Sequence, residues 1–80
     1  MKLELYYKPA CPYCKKVLQY IDRNHIQGIE LKDKSAHPEF EKELITIGGK
    51  PQVPCLMIDG EPLYESDDII QWLGEHCLEN

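Results

Sequence analysis

The sequence contains no apolar run approaching the roughly 18 residues that a membrane span requires, so nothing in it is expected to cross a bilayer. Its first eight residues lack the uninterrupted apolar stretch and small-residue cleavage site of a secretory signal, which makes the cytoplasm the expected compartment. Basic residues are scarce, with 9 Lys and Arg against 14 Asp and Glu and a net charge of −5. That balance gives no general attraction for a polyanion, and nucleic acid is excluded as a partner. Internal repeats, low-complexity tracts and linker-like stretches are also missing, and 80 residues leave room for one small core and no second.

What remains is ordinary globular material, 42% hydrophobic and 29% charged. The charge is uneven along the chain. Residues 1–34 hold seven basic and four acidic side chains, whereas residues 35–80 hold two and ten. By itself this bias fits a solvated surface.

Local patterns lay out seven elements. Leu3 and Leu5 alternate in a first strand that Pro9 ends. From Pro12 to about Asn24, Cys14, Val17, Leu18 and Ile21 recur at helical spacing; Pro12 suits the first helical position, which puts Cys11 at the N-cap. Gly28 turns the chain into a short strand over Ile29 to Lys32. A second helix follows, with Phe40, Leu44 and Ile47 on one face, acidic residues in its first turn, and Gly48 and Gly49 at its end. The apolar strand Cys55 to Ile58, the turn signal Asp59-Gly60 and a return strand near Leu63 make a hairpin, and apolarity on both faces puts its first strand inside the sheet. A last helix opens with Ser66 as N-cap and turns Ile69, Ile70, Leu73 and Cys77 inward. The order βαβαββα demands a parallel first pair and an antiparallel hairpin. The expected fold is α/β: a four-stranded mixed sheet with helices on both faces.

The chemistry concentrates in "CPYC", Cys11 to Cys14. Disulfides in a reducing compartment are usually transient and catalytic, so the four cysteines are not expected to form two permanent staples. A thiolate is the nucleophile in thiol–disulfide exchange, and the start of a helix, with unpaired N–H groups and a favourable dipole, stabilises one. Lys8, Lys15 and Lys16 add positive charge nearby. Cys11 is the expected nucleophile and Cys14, one turn behind on the same face, the resolving thiol. Zinc is the structural alternative, but a structural site usually takes a second close pair of ligands, and Cys55, Cys77 and His76 are scattered. Cys55 and Cys77 read as packing residues, Trp72 and Phe40 as helix-packing aromatics, and His25, His37 and His76 as surface residues.

"KPACPYC", with "QVP" at Gln52 to Pro54 and "SDD" at Ser66 to Asp68, resembles a dithiol glutaredoxin of the thioredoxin-like superfamily over nearly the whole chain. The resemblance implies one domain over residues 1–80 and a cytoplasmic, monomeric thiol–disulfide oxidoreductase with no tightly bound cofactor and no metal. Glutathione would be its co-substrate, and protein disulfides or glutathionylated proteins its partners. It further implies a cis Pro54 facing the cysteines, with the Val53 backbone free to bond a peptide-like ligand. Lys8 would meet the glycyl carboxylate of glutathione, the N–H groups of Ser66 and Asp67 the γ-glutamyl carboxylate, and the Asp67 side chain the ammonium, while Tyr13 would pack along the ligand.

The chain departs from that pattern at Gln52, where relatives often carry Thr, and at Tyr64 and Glu65, where they carry Gly-Gly; the larger side chains would narrow the groove. "YESDDIIQWL" also resembles the Glu-Ser region of glutathione transferases, which implies a catalytically silent binding domain as a rival; that family adds a long helical domain, and with the chain ending at Asn80 a complete transferase is not expected. A dimer bridged by a [2Fe–2S] cluster on Cys11 and glutathione thiolates is a second rival, which Pro12 and Tyr13 oppose by family habit.

Overall fold

Strand β1 (Leu3–Tyr7) lies inside a four-stranded sheet, between β2 (Ile29–Asp33) and β3 (Cys55–Ile58), with β4 (Glu61–Tyr64) on the far side of β3. The computed structural model describes residues 1–78. Strand β1 runs parallel to β2 and antiparallel to β3, and β3 and β4 form the hairpin. At its tip Asp59 and Gly60 both take positive φ, 50° and 85°, as a turn matched to the strand twist requires. Helices α1 (Pro12–Arg23), α2 (Glu39–Gly48) and α3 (Ser66–His76) complete the expected order.

Two apolar clusters sandwich the sheet. Leu3, Leu5 and Leu56 meet Val17 of α1 and Ile69 and Leu73 of α3 on one face, while Tyr6, Cys55 and Met57 meet Leu44 of α2 on the other. Helices α1 and α3 therefore share one face and α2 covers the opposite one, which leaves both faces of β1 and β3 buried.

Two details differ from the sequence reading. Ile47 is 47% exposed, because the inward position in the last turn of α2 belongs to Gly48. A Cβ there would collide with the Tyr64 hydroxyl and stand 3.1 Å from Met57 Cε, so glycine lets the Tyr64 hydroxyl donate to the Gly48 carbonyl at 3.0 Å. The second detail is charge on the α2 face. Glu4 and Lys32 are buried there, Lys32 Nζ lying 2.7 Å from Glu4 Oε2 and 2.9 Å from Glu43 Oε1, while the Tyr6 hydroxyl donates to Glu43 at 2.9 Å. Burial favours the neutral amine, but the bonds to Glu4, Glu43 and Tyr6 outweigh it and raise the Lys32 pKa, so the ammonium is held charged.

Candidate active site

Cys11 stands at the N-cap of α1 with extended backbone (φ −81°, ψ 122°), and Pro12 opens the helix. The Cys11 N–H donates to the Lys8 carbonyl at 3.1 Å, closing a tight turn out of β1, and its own carbonyl accepts the Lys15 N–H at 2.9 Å. No side chain caps the helix, so its first amides are left to serve a sulfur. Cys11 is partly exposed, Cys14 is fully buried, and the two sulfurs are unbonded.

The two thiols are driven apart electrostatically. Burial alone would push the Cys11 thiol up. The Cys14 N–H, the Cys14 thiol, the Tyr13 N–H and the Lys8 charge together outweigh it and bring Cys11 below the ordinary value. Burial pushes Cys14 up to about 11, against the opposing pull of the Lys8 N–H, which donates to Cys14 Sγ at 3.5 Å. Cys11 is thus the anion in waiting, and Cys14 the protonated neighbour behind it. Of the three lysines expected to assist Cys11, Lys8 contributes, whereas Lys16 turns to Asp67.

A cavity of about 420 Å³ is lined by Tyr13, Gln52, Val53, Pro54, Glu65, Ser66 and Asp67. That falls within the roughly 300–1,000 Å³ of small-molecule sites. Six of the nine residues singled out from the sequence come together in this lining; Cys11, Cys14 and Lys8 are not part of it, though Tyr13, which is, lies between the two cysteines in the chain. The Val53-Pro54 peptide is cis.

The start of α3 corrects the sequence reading by one residue. Glu65, not Ser66, is the N-cap: its carbonyl accepts the first helical bond, from the Ile69 N–H at 3.0 Å, and its backbone is non-helical (φ 74°, ψ 122°). Ser66 is the buried first residue of the helix. No side chain caps this helix either, which leaves the Ser66 and Asp67 amides at an anion-favouring N-terminus.

Sequence reasoning also left two contacts unforeseen. The Asp67 carboxylate is paired with Lys16 Nζ, and Gln52 Nε2 donates to Glu65 Oε1 at 3.2 Å, so two of the three residues that depart from the glutaredoxin pattern bond to each other. Among the described residues no group of three or more His, Cys, Asp or Glu side chains converges on a possible metal position. Cys55 is buried in β3, its thiol pushed up by burial to about 11, and burial raises Cys77 as well.

Residues 3–63 match the model of the Glutaredoxin family; the match ends before α3. A protein of Clostridium pasteurianum described as an uncharacterized glutaredoxin-like 8.6 kDa protein in the rubredoxin operon is 29% identical over 58 residues, 72% of this chain and 76% of that one. Among solved structures, a thioredoxin-like protein superposes with a TM-score of 0.75 at 26% identity, covering 92% of this chain and 97% of that one. A delta-class glutathione transferase of Nilaparvata lugens superposes with a TM-score of 0.73 at 25% identity over 98% of this chain. This chain spans only 37% of the transferase's length.

Proposed function

The chain belongs to the glutaredoxin family, and from that membership and the site we propose that it is a glutathione-dependent thiol–disulfide oxidoreductase working as a monomer on protein disulfides and glutathionylated proteins. The observation that carries the reading is the contrast between the two thiols of one helix turn: Cys11 partly exposed and lowered by N–H donors and Lys8, Cys14 buried and raised.

In the proposed reaction the Cys11 thiolate attacks one sulfur of the substrate disulfide, forming a mixed disulfide and expelling the other sulfur as a thiolate that takes up a proton. With a glutathionylated substrate the protein thiol leaves and glutathione stays on Cys11. A second glutathione thiolate then attacks that bond, freeing Cys11 and carrying both electrons' worth of oxidation away as glutathione disulfide. With a protein disulfide, Cys14 loses its proton and attacks Cys11 instead, which releases the fully reduced substrate and leaves a Cys11–Cys14 disulfide for two glutathiones to reduce.

Glutathione would lie in the groove with its γ-glutamyl carboxylate on the Ser66 and Asp67 amides, its ammonium at the Asp67 carboxylate and its glycyl carboxylate near Lys8. Val53 would bond its backbone, and Tyr13, Gln52 and Pro54 would flank it. Binding would require Asp67 to leave Lys16.

The test is reduction of a glutathionylated peptide and of a disulfide-linked protein by glutathione. Cys11→Ser should abolish both activities, and Cys14→Ser should abolish only the second. Full activity in Cys11→Ser would refute the assignment, and no turnover by the wild type would leave a domain that only binds.

A further inference from the structure

The two walls of the groove are fastened to each other by a side chain that is not part of its lining. Tyr64 ends β4 directly before the wall residues Glu65, Ser66 and Asp67, and Lys50 lies two positions before Gln52, Val53 and Pro54 of the other wall. The Tyr64 hydroxyl donates to the Gly48 carbonyl at 3.0 Å and shares its proton with the Lys50 carbonyl at 3.3 Å, while the Lys50 ammonium stands 4.4 Å from the centre of the Tyr64 ring. A second link, Gln52 Nε2 to Glu65 Oε1 at 3.2 Å, closes the circuit. The chain from Lys50 to Gln52 and the peptide from Tyr64 to Glu65 complete a ring, within which Pro51 has a fixed φ. The Pro51 carbonyl is itself held from β2's end by the Lys34 ammonium at 3.1 Å, so the loop has a firm base.

The clamp is shaped from both sides. Gly48 belongs to α2 and is not among the residues with positive φ, so its backbone alone gives no reason for glycine. What glycine supplies is space, since a Cβ there would collide with the Tyr64 hydroxyl. On the other side Glu65 keeps a φ of 74°, a conformation that persists only where its surroundings over-determine it. The ring through Tyr64 and Gln52 does so.

We propose that Tyr64 is a positioning residue for glutathione: its hydroxyl sets the distance between the Val53 backbone on one wall and the Ser66 and Asp67 amides on the other, the groups that a bound glutathione would span. The proposal rests on the glutathione reading above. A ligand bonded to both walls at once gains fully from each only where their spacing is preset; otherwise part of its binding energy goes into ordering them. Cys11 is stabilised by the Cys14 and Tyr13 amides, the Cys14 thiol and Lys8, none of which belongs to the ring, so loosening the clamp leaves the thiolate as it is.

The experiment is a single turnover of the prereduced protein at subsaturating substrate, with one peptide whose cysteine is capped by either glutathione or 2-mercaptoethanol, read as release of the peptide thiol. In both cases Cys11 Sγ forms a bond to the sulfur of the cap, the disulfide between cap and peptide breaks, and the peptide thiolate takes up a proton. Tyr64→Phe keeps the ring and loses the hydroxyl. It should slow reaction with the glutathione-capped peptide roughly three- to tenfold, the worth of about one hydrogen bond, and leave the mercaptoethanol-capped peptide unchanged. Gly48→Ala, which displaces the hydroxyl from the α2 side, should do the same. The double variant should be no slower than Tyr64→Phe alone, because the alanine then has no hydroxyl to displace. Equal slowing on both peptides, as a brace of the whole fold would give, overturns the proposal. So do wild-type rates in Tyr64→Phe, or losses that add in the double variant. A wild type that reacts with the two peptides at the same rate would instead sink the glutathione reading itself, and this proposal with it.

Discussion

Lys16 of α1 and Asp67 of α3 form an ion pair beside the groove, between residues 51 positions apart in the chain. Both side chains are more than half exposed, so the pair contributes little to stability, about 0.2–1 kcal/mol. Its consequence is for binding, since the carboxylate proposed to hold the glutathione ammonium already has a partner. Lys16→Gln should lower the KM for glutathione by up to about fivefold, the equivalent of 1 kcal/mol. Asp67→Asn should raise it. Steady-state kinetics at low ionic strength will check both, and the gain in Lys16→Gln should shrink as salt screens the wild-type pair.

Glu65 should be a stability defect kept at the groove. Its φ of 74° is a conformation that glycine adopts freely and a side-chain-bearing residue does not, at a cost of about 1–3 kcal/mol. Glu65→Gly also gives up the exposed bond to Gln52 and the restraint on the unfolded chain, so a net gain of about 1 kcal/mol is expected, raising Tm by about 5 °C in a domain this small. Thermal unfolding followed by circular dichroism measures it directly.

The charged cluster under α2 sets a different stability. Lys32→Met leaves the buried Glu4 with only the more distant Lys2 ammonium, at 3.8 Å, and should cost about 3 kcal/mol in urea unfolding. The loss is pH-dependent with a defined sign. The bond from Lys32, aided by the Tyr6 hydroxyl, holds the Glu43 carboxyl below its ordinary value of 4.5. A depressed carboxylate contributes stability that is present above its unfolded value and lost as pH falls through its folded one. Wild type should therefore lose stability faster than Lys32→Met on acidification below about pH 4.5, and the gap between them should narrow.

How much of this was readable in advance follows from the range of the forces involved. Strand alternation, the Cys11–Pro12 helix start and the Asp59-Gly60 turn are local, and they placed all seven elements. The family resemblance brought Tyr13, Gln52, Val53, Pro54, Ser66 and Asp67 to one groove. The misses are non-local. Glu4 alternates with Leu3 and Leu5 and so reads as solvent-facing; only the parallel register that sets Tyr6 beside Lys32, together with the α2 cover, buries it. Ile47 has the periodicity of a core residue, but the close approach of Tyr64 gives its place to Gly48. Neither Lys16–Asp67 nor Lys34–Pro51 has any signature in local sequence, because each joins two elements whose proximity comes from the finished fold.

The central claim is that Cys11 is a stabilised thiolate and the other described cysteines are not, and the most direct measurement is the rate of alkylation of each cysteine by iodoacetamide as a function of pH, read by mass spectrometry. Cys11 should label at mildly acidic pH well ahead of a cysteine in an unstructured peptide, with its midpoint below the ordinary 9.0. Cys14 and Cys55, both held near 11, should stay unlabelled there. Labelling of Cys11 no faster than the peptide, or of Cys14 ahead of Cys11, would contradict the account.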